Sequence, residues 1–533
     1  MRRLAVALVV MLLGFASVDA PARGAAPVVP CHPGAEWDLL TMVNYYRAAN
    51  AKPVLTMSAE LNAKAQAWSE NMAAQQRLYH STLTNGVSSG WSALAENVAY
   101  HSGGLSAAQV ALQNSAGHRA NLLGTYTEIG LGITVDSTGT YWVTQVFARR
   151  TVPTPTYKGP SGGTSYAPVG PAVVLDTTSG AAAAAGSQRP VQIAGVAGVP
   201  ATATAAVVTL EAITPSGSGF VQALGPGSTV GQAANVNTGD GEAANTAIAR
   251  LDASGRFQLY TSVTTHLRVT LTGYFAPVAG PVSAGRYKSL TPARVLDTRD
   301  GTGYTGARPI AGQTVTVQVT GRGGVPATGA GSVAVNVAAV QADGDGWVQA
   351  GASPMAPDAW RNLHVNRNGQ TIANLMILPL DASGRVSLRT SVGTHLTMDV
   401  VGWFTNATQP ATTEGLFVPM TPARGLDTRN AVGIATRTPV RAANVVVPGV
   451  GDLPKCPRAV VGSLAMIPVA SSTFGQAGPL NGFAPGSYSS INAQTLNRAV
   501  ANTFISSTGA LWSVGVNTPS DSHMIADFSG WFS

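Results

Sequence analysis

Charge is scarce in this sequence. Asp, Glu, Lys and Arg together make up 11% of its 533 residues, and nowhere do they gather into a basic run. Proteins that bind nucleic acid by neutralising phosphates need clustered Lys and Arg, so that class is excluded. Cysteine is scarcer still: only Cys31 and Cys456 occur. Two cysteines cannot build a multi-disulfide scaffold. In an exported chain they permit one bridge, tying the N-terminal segment to the last domain, with two free thiols or a bond to another chain as the alternatives. Long apolar runs are also missing beyond residue 20, which predicts no transmembrane anchor once the N-terminal segment is removed.

What is abundant is glycine and proline, 60 and 33 residues, a turn-rich composition that suits short strands better than long helices. At roughly 100–200 residues per domain, the length predicts three to five domains. The first residues, Met1-Arg2-Arg3, precede the apolar run LAVALVVMLLGFA and then small residues, the pattern of a secretory signal over residues 1–26 with cleavage after Ala20, Ala22 or Ala25. The expected location is therefore extracellular or at the cell envelope. The formal net charge is +7, and removing residues 1–25 takes away three arginines and one aspartate to leave about +5, a mild attraction to acidic surfaces such as a bacterial wall.

Helical periodicity is confined to the first part of the chain. EWDLLTMVNYYRAAN places Leu39, Leu40, Val43, Tyr46 and Arg47 at helical spacing. SAELNAKAQAWSENMAAQQ opens on Ser58, a helix cap, and sets Leu61, Ala65, Trp68 and Met72 on one face. LSAAQVALQNSAGHRANLLG predicts a third helix, stopped by Gly117 and then Gly124, and EIGLGITVD and TYWVTQVFARR read as strands. Residues 34–150 thus form one compact unit, followed by a Pro/Gly/Ser/Thr linker over 151–167. The remainder repeats itself. VVLDTTSG, RVLDTRDG and RGLDTRNA open three units, and TTHLRVTLTGYFAP, GTHLTMDVVGWFTN and DSHMIADFSGWFS close them, which predicts β-modules at 168–278, 286–406 and 416–533. Their interiors alternate like strands, as in ATAAVVTLEAI and GSVAVNVAAV. They predict three all-β sandwiches or jelly rolls in tandem.

In a chain so poor in charge, His80 in YHSTL, Glu96 in AENVAY and His118 in NSAGHRAN stand out. Two neutral imidazoles and a carboxylate can hold a divalent metal such as zinc, polarise a water with Glu96 as base, or pair structurally. Together with MVNYYRAAN, LNAKAQAWSENMA and YWVTQVF, these motifs make residues 34–150 resemble the short bacterial form of the CAP superfamily, also called the SCP domain. The resemblance implies an α-β-α sandwich with a cavity lined by His80, Glu96 and His118, and so a multidomain α+β chain. It also marks departures from the larger eukaryotic pattern: Ser115 stands near that pattern's second glutamate, Tyr141 or Trp142 near its second histidine, and Ala95 replaces the glycine before the first glutamate. Ser81 reads as a capping hydroxyl, since no G-x-S-x-G setting surrounds it. Arg119 and Asn121 are expected to hold a helix end, and His101 to be a surface residue.

In the β-modules the aspartates of LDT, Asp176, Asp297 and Asp427, predict Asx-turns. The matched His266, His395 and His523 predict satisfied core residues, and Asn245, Asn374 and Asn502 predict bonds to backbone at strand crossings. The closing aromatics predict core. Trp91, Trp347 and Trp360 are candidate stacking platforms. These units resemble modules found in tandem behind signal peptides and exported hydrolases of high-GC Gram-positive bacteria. The favoured function is a secreted or envelope-associated protein whose cavity takes a lipid-like small molecule or wall component, such as a cell-wall glycan, with or without a divalent metal. The β-modules would then be attachment or spacer units. The alternatives are a secreted hydrolase, a peptidase or wall-lytic enzyme using His80, Glu96 and His118, and a structural surface protein with a degenerate site.

Overall fold

A computed structural model of the chain describes residues 29–30, 35–154, 163–447, 450–453, 457–479, 488–508 and 513–533. The expected signal peptide and both partners of the expected Cys31–Cys456 bridge lie outside the described residues. The chain divides into two compact units, Met1–Ser161 and Gly162–Ser533. Among the described residues, no helix is long and apolar enough to cross a membrane.

The first unit runs β1 (Val29–Pro30), α1 (Ala35–Ala49), β2 (Thr56–Met57), α2 (Ala59–Gln75), β3 (Trp91–His101), α3 (Leu105–Asn114), α4 (Ala116–Leu122), β4 (Glu128–Val135) and β5 (Tyr141–Arg150). Its sheet is ordered β1-β4-β5-β3, with β2 parallel to β4. Helix α2 starts where the sequence says it should: Ser58 is extended, and its hydroxyl accepts the Leu61 N–H, one of the orphan donors of a helix start. Leu61, Ala65 and Met72 are fully buried. The helix sits so close to β4 that a Cβ on Gly130 would lie 2.0 Å from the Leu61 carbonyl carbon, and one on Gly132 2.1 Å from the Ala65 oxygen. The two glycines of EIGLGITV are the condition for that approach. Asn62 and Gln66 then reach across to accept the Leu131 and Ile133 N–H groups of β4.

The third helical stretch is two helices rather than one. The break falls at Ser115, whose ψ of 125° is extended, and Gly117 lies inside α4. The Ser115 carbonyl accepts the Arg119 N–H at 2.8 Å and starts the second helix. Its far end is held by Arg47 of α1, 1% exposed, whose guanidinium donates to the Leu122 and Gly124 carbonyls at 2.6 and 3.0 Å and to Pro53 O at 2.8 Å. A cation there satisfies the unpaired carbonyls at a helix C-terminus.

The second unit is β throughout its described residues. Its first stretch holds β6 (Thr164–Asp176), β7 (Gln188–Gln192), β8 (Ala205–Ile213), β9 (Phe220–Leu224), β10 (Val236–Asn237), β11 (Ala243–Arg250), β12 (Arg256–Thr261) and β13 (His266–Pro277). The second holds β14 (Tyr287–Asp297), β15 (Thr314–Gln318), β16 (Ala330–Val340), β17 (Asp345–Gly351), β18 (Leu363–Asn366), β19 (Ile372–Pro379), β20 (Arg385–Thr390) and β21 (His395–Thr405). The third holds β22 (Phe417–Asp427), β23 (Val440–Val446), β24 (Ala459–Pro468), β25 (Thr473–Pro479), β26 (Ile491–Ala493), β27 (Val500–Ser507) and the 20-residue β28 (Ser513–Phe532). The strand orders of the first two stretches match, β11-β8-β13-β6 with β10-β9-β12-β7, and β19-β16-β21-β14 with β18-β17-β20-β15, all antiparallel; the first of these runs on through β22 into an 11-stranded sheet shared with the third stretch, and the other three are four-stranded sheets. In the third, the early part of β28 pairs with β23 and β25 and the later part with β22 and β24. Each stretch encloses its own apolar cluster. Strand β6 already begins at Thr164, inside the expected 151–167 linker, because Thr164–Ala167 pair with Tyr274–Pro277 of β13.

The three stretches are not independent beads. They close on a common hub of Tyr166, Phe275, Tyr287, Phe404, Phe417 and Phe532, each at most 4% exposed. The ring contacts run in a cycle: Tyr166 to Phe404 at 4.5 Å, Tyr287 to Phe532 at 4.4 Å and Phe417 to Phe275 at 4.4 Å. The backbone follows, with Tyr166 N donating to Gly285 O and Tyr287 N to Gly415 O, while β22 meets β6 at Phe417 and Thr164. Gly285 and Gly415 take φ of 78° and 84°, and a Cβ on either would lie 2.2 Å from the Tyr166 or Tyr287 oxygen, so only glycine fits.

The matched asparagines close the same cycle. Asn245 donates to Ala501 O at 2.5 Å, Asn374 to Ala244 O at 2.5 Å and Asn502 to Ala373 O at 3.1 Å, each a bond from one stretch to another. The expected backbone bonds are therefore there, but they join stretches as well as strands. The Asx-turns also form, with the N–H of Thr178, Arg299 and Arg429 donating to Asp176, Asp297 and Asp427. His266, His395 and His523 are half-buried rather than core, each with Nδ1 against the threonine of its LDT motif. Trp360 is buried and donates to Ala350 O, which removes it as a stacking platform.

Candidate functional site

Glu96 lies on β3, paired with Val146 of β5. Five consecutive residues, Ala95–Ala99, are buried, so both faces of this edge strand are covered. Glu96 and Val98 share one face, and Val98 packs with Met72, Ala73 and Trp142. Asn97, on the other face, donates to the His118 carbonyl at 3.2 Å and to Gln145 Oε1 at 3.1 Å.

The Glu96 side chain is 3% exposed, and a carboxylate so placed must be paired. Three donors meet it: Ser81 N–H to Oε1 at 2.8 Å, His80 Nδ1 against Oε1 at 2.9 Å, and the Ser81 hydroxyl to Oε2 at 2.5 Å. The His80 side chain is 38% exposed, so one edge of the imidazole is anchored while the ring reaches solvent. Ser81 is thus a partner of the carboxylate rather than a helix cap.

The loop carrying His80 is pinned from α2 and β5. Trp68 donates its indole N–H to Tyr79 O at 2.8 Å, and its ring meets Tyr79 edge-on at 4.8 Å. Lys64 donates to Thr82 O and Asn85 O at 3.1 and 2.8 Å. Burial lowers the Lys64 pKa, while the charge of Glu96 acts to raise it. Arg150 donates to Ser88 O and Ser89 O.

His118, on α4, is half-buried, and its imidazole makes no hydrogen bond to either His80 or Glu96. Burial, and then the charge of His80, hold its pKa below that of free histidine. Its position comes from the backbone: Asn97 holds its carbonyl, and Asn121 donates to Asn97 Oδ1 at 2.9 Å and Glu96 O at 3.4 Å. The chain of amides continues inward, Gln145 donating to Gln109 Oε1 at 2.7 Å. Sequence reasoning missed Lys64, Asn97, Gln109 and Gln145. A glutamine in the middle of the apolar strand WVTQVF was the available signal. Arg119 reaches Gln113 O at 3.4 Å, His101 accepts the Gly103 N–H, and Trp142 is core, donating to Asp136 and stacking on Tyr100.

These residues fit a metal poorly. Both Glu96 oxygens are taken by Ser81 and His80, and among the described residues no three His, Cys, Asp or Glu side chains are grouped to hold an ion. The arrangement presents an anchored imidazole beside a satisfied buried carboxylate, with a second histidine that stays neutral more readily.

Residues 40–147 match the family model of CAP, the Cysteine-rich secretory protein family. This stretch is a CAP domain. Among curated proteins none matches the chain. Among solved structures, the chain is similar to an extracellular SCP-domain protein from Bacillus anthracis, with 26% identity over 22% of this chain and 40% of that one and a TM-score of 0.20. The chain thus spans well under half of that protein's length. It is also similar to an outer surface protein from Borrelia burgdorferi, with 14% identity over 22% of this chain and 92% of that one and a TM-score of 0.20.

Proposed function

We propose that this is a secreted, envelope-associated binding protein. Its CAP domain, read as an α-β-α sandwich, takes a lipid-like small molecule or wall component beside His80 and His118. The second unit, read as three copies of one jelly-roll-like module, is a single attachment body. The observation carrying this reading is the way Glu96 is used. Its oxygens accept from Ser81 and His80, which leaves it poorly placed as a general base, and the Ser81 hydroxyl donates to the carboxylate instead of to an imidazole. A buried, satisfied carboxylate that fixes an exposed histidine supports positioning for recognition. The match of residues 40–147 to the Cysteine-rich secretory protein family supports the location.

Hydrolysis is the second reading, and the same pair favours it in one respect: a carboxylate on Nδ1 leaves Nε2 of His80 to accept a proton from water. The test uses the full chain with a fluorescent fatty acid and with soluble peptidoglycan fragments, each with and without zinc. Saturable binding weakened about tenfold by His80→Ala, with the fragments intact, supports the binding reading. Cleavage lost in His80→Ala replaces it with the hydrolytic one. Neither binding nor cleavage under any condition removes both.

A further inference from the structure

We propose that His364 is a proton-operated clasp between the first and second β stretches, firm when the imidazole is charged and loosened when it is neutral. His364 lies on β18, with a side chain 2% exposed. Its Nε2 is 3.2 Å from Glu211 Oε2 of β8, and its Nδ1 is 3.4 Å from Glu242 Oε2, so both ring nitrogens face carboxylates of the neighbouring stretch. A carboxylate only accepts. A neutral imidazole has one N–H, so losing the proton would turn a lone pair toward an anionic oxygen in a buried seam.

The other two seams lack this feature. The carbonyls of Asn235, Asn362 and Ser490 accept from the matched asparagines, so the residues two further on, Asn237, His364 and Asn492, are equivalent. Leu210, Val337 and Leu464 pair with those asparagines, which makes Ala338 and Ala465 the counterparts of Glu211. Asparagine against alanine thus stands at two seams, and histidine against glutamate at one.

Other charges face the same groups. Arg268 of β13 lies 3.6 Å from Glu211 Oε2 and 2.8 Å from Asp176, the charge of Arg361 acts on Glu242, and Arg367 lies 3.6 Å from Asp240. Burial opposes charging His364, but the bonds and charges of Glu211 and Glu242 outweigh it and raise its pKa. The bond from His364 is the main cause lowering that of Glu242. A raised histidine contributes stability fully below about 6.5, its unfolded value, and loses it as pH rises through the folded value. A depressed glutamate contributes above about 4.3 and loses it as pH falls through its folded value. The seam is firmest between the two.

The experiment follows the unfolding midpoint of the full chain from pH 5 to 9 for wild type, His364→Asn and the double variant Glu211→Ala with His364→Asn. In parallel, the imidazole carbon shifts of histidine-labelled wild type are recorded by NMR. The expected result is a fall of several degrees in the wild type above neutral pH that the double variant lacks, with one histidine signal still charged at pH 7 and absent from His364→Asn. Parallel midpoint curves, or a His364 signal already neutral at pH 6, would overturn the proposal. Should a variant fail to fold, a wild type in which every histidine signal is neutral at pH 7 would by itself overturn the proposal.

Discussion

Ser81 gives both its backbone N–H and its hydroxyl to Glu96, at 2.8 and 2.5 Å, and so holds the carboxylate on which His80 rests. A hydrogen bond to a charged acceptor contributes about 1.5–3 kcal/mol. Ser81→Ala should therefore destabilise the CAP domain by about 2 kcal/mol. The described helices all lie in the first unit, so urea unfolding followed by circular dichroism at 222 nm reports on that domain. An unchanged midpoint would mean that the hydroxyl bond carries no weight.

His118 should stay neutral to a lower pH than free histidine, because burial and the charge of His80 both oppose its protonation. The sign follows from linkage. The unfolded chain binds this proton more readily, so stability rises with pH up to about 6.5 and falls as the solution is acidified below it. Replacing His80 by alanine should move the His118 titration upward. An NMR titration of the imidazole that shows no upward movement would place the two rings too far apart to interact.

Arg47→Ala should cost about 3 kcal/mol or more, since it strips a buried cation from the Pro53, Leu122 and Gly124 carbonyls and leaves them unpaired. Because α4 carries His118, the His118 NMR signal should broaden or shift in the same variant. A shift in stability with an unmoved His118 signal would separate the helix end from the site.

Asn374→Ala should cost about 2–4 kcal/mol, for it leaves both Ala244 O and Asn362 O without their donor. Phe404→Ala, at the hub, should cost about 3–5 kcal/mol. Tyr45, 79% exposed, provides the control, with Tyr45→Ala expected within about 0.5 kcal/mol. Urea midpoints followed by the β signal near 218 nm measure the Asn374 and Phe404 variants, and the helix signal at 222 nm measures the Tyr45 control. A small Phe404 effect would argue against a shared core.

The parts of this fold that rest on local chemistry were readable from the sequence. Ser58 announces α2, EIGLGITVD reads as a strand, and the LDT aspartates declare their Asx-turns. The break at Ser115 was not readable, because Gly117 is the stronger breaker on paper, and yet a glycine is tolerated inside α4 once the extended Ser115 has started a new helix. Glu96 was legible as an unusual charge. Its partner Ser81 was read for the wrong bond, since only the fold brings the loop after Tyr79 against β3. The cyclic hub was hidden for another reason: Tyr166 falls in the expected linker, Phe404 closes one expected module and Phe417 opens another, and nothing in one module's pattern says that its aromatics are completed by another's. Glu211 and His364, 153 positions apart, were hidden in the same way.

The closure of the hub through β6 and β22 changes how the second unit must come apart. In an open row of modules the outermost member has one neighbour, frays first and can be trimmed away. Here every stretch has two neighbours, and none is outermost. Backbone amides in equivalent strands of all three should exchange with solvent on one common timescale, and a protease that opens any stretch should release the other two with it.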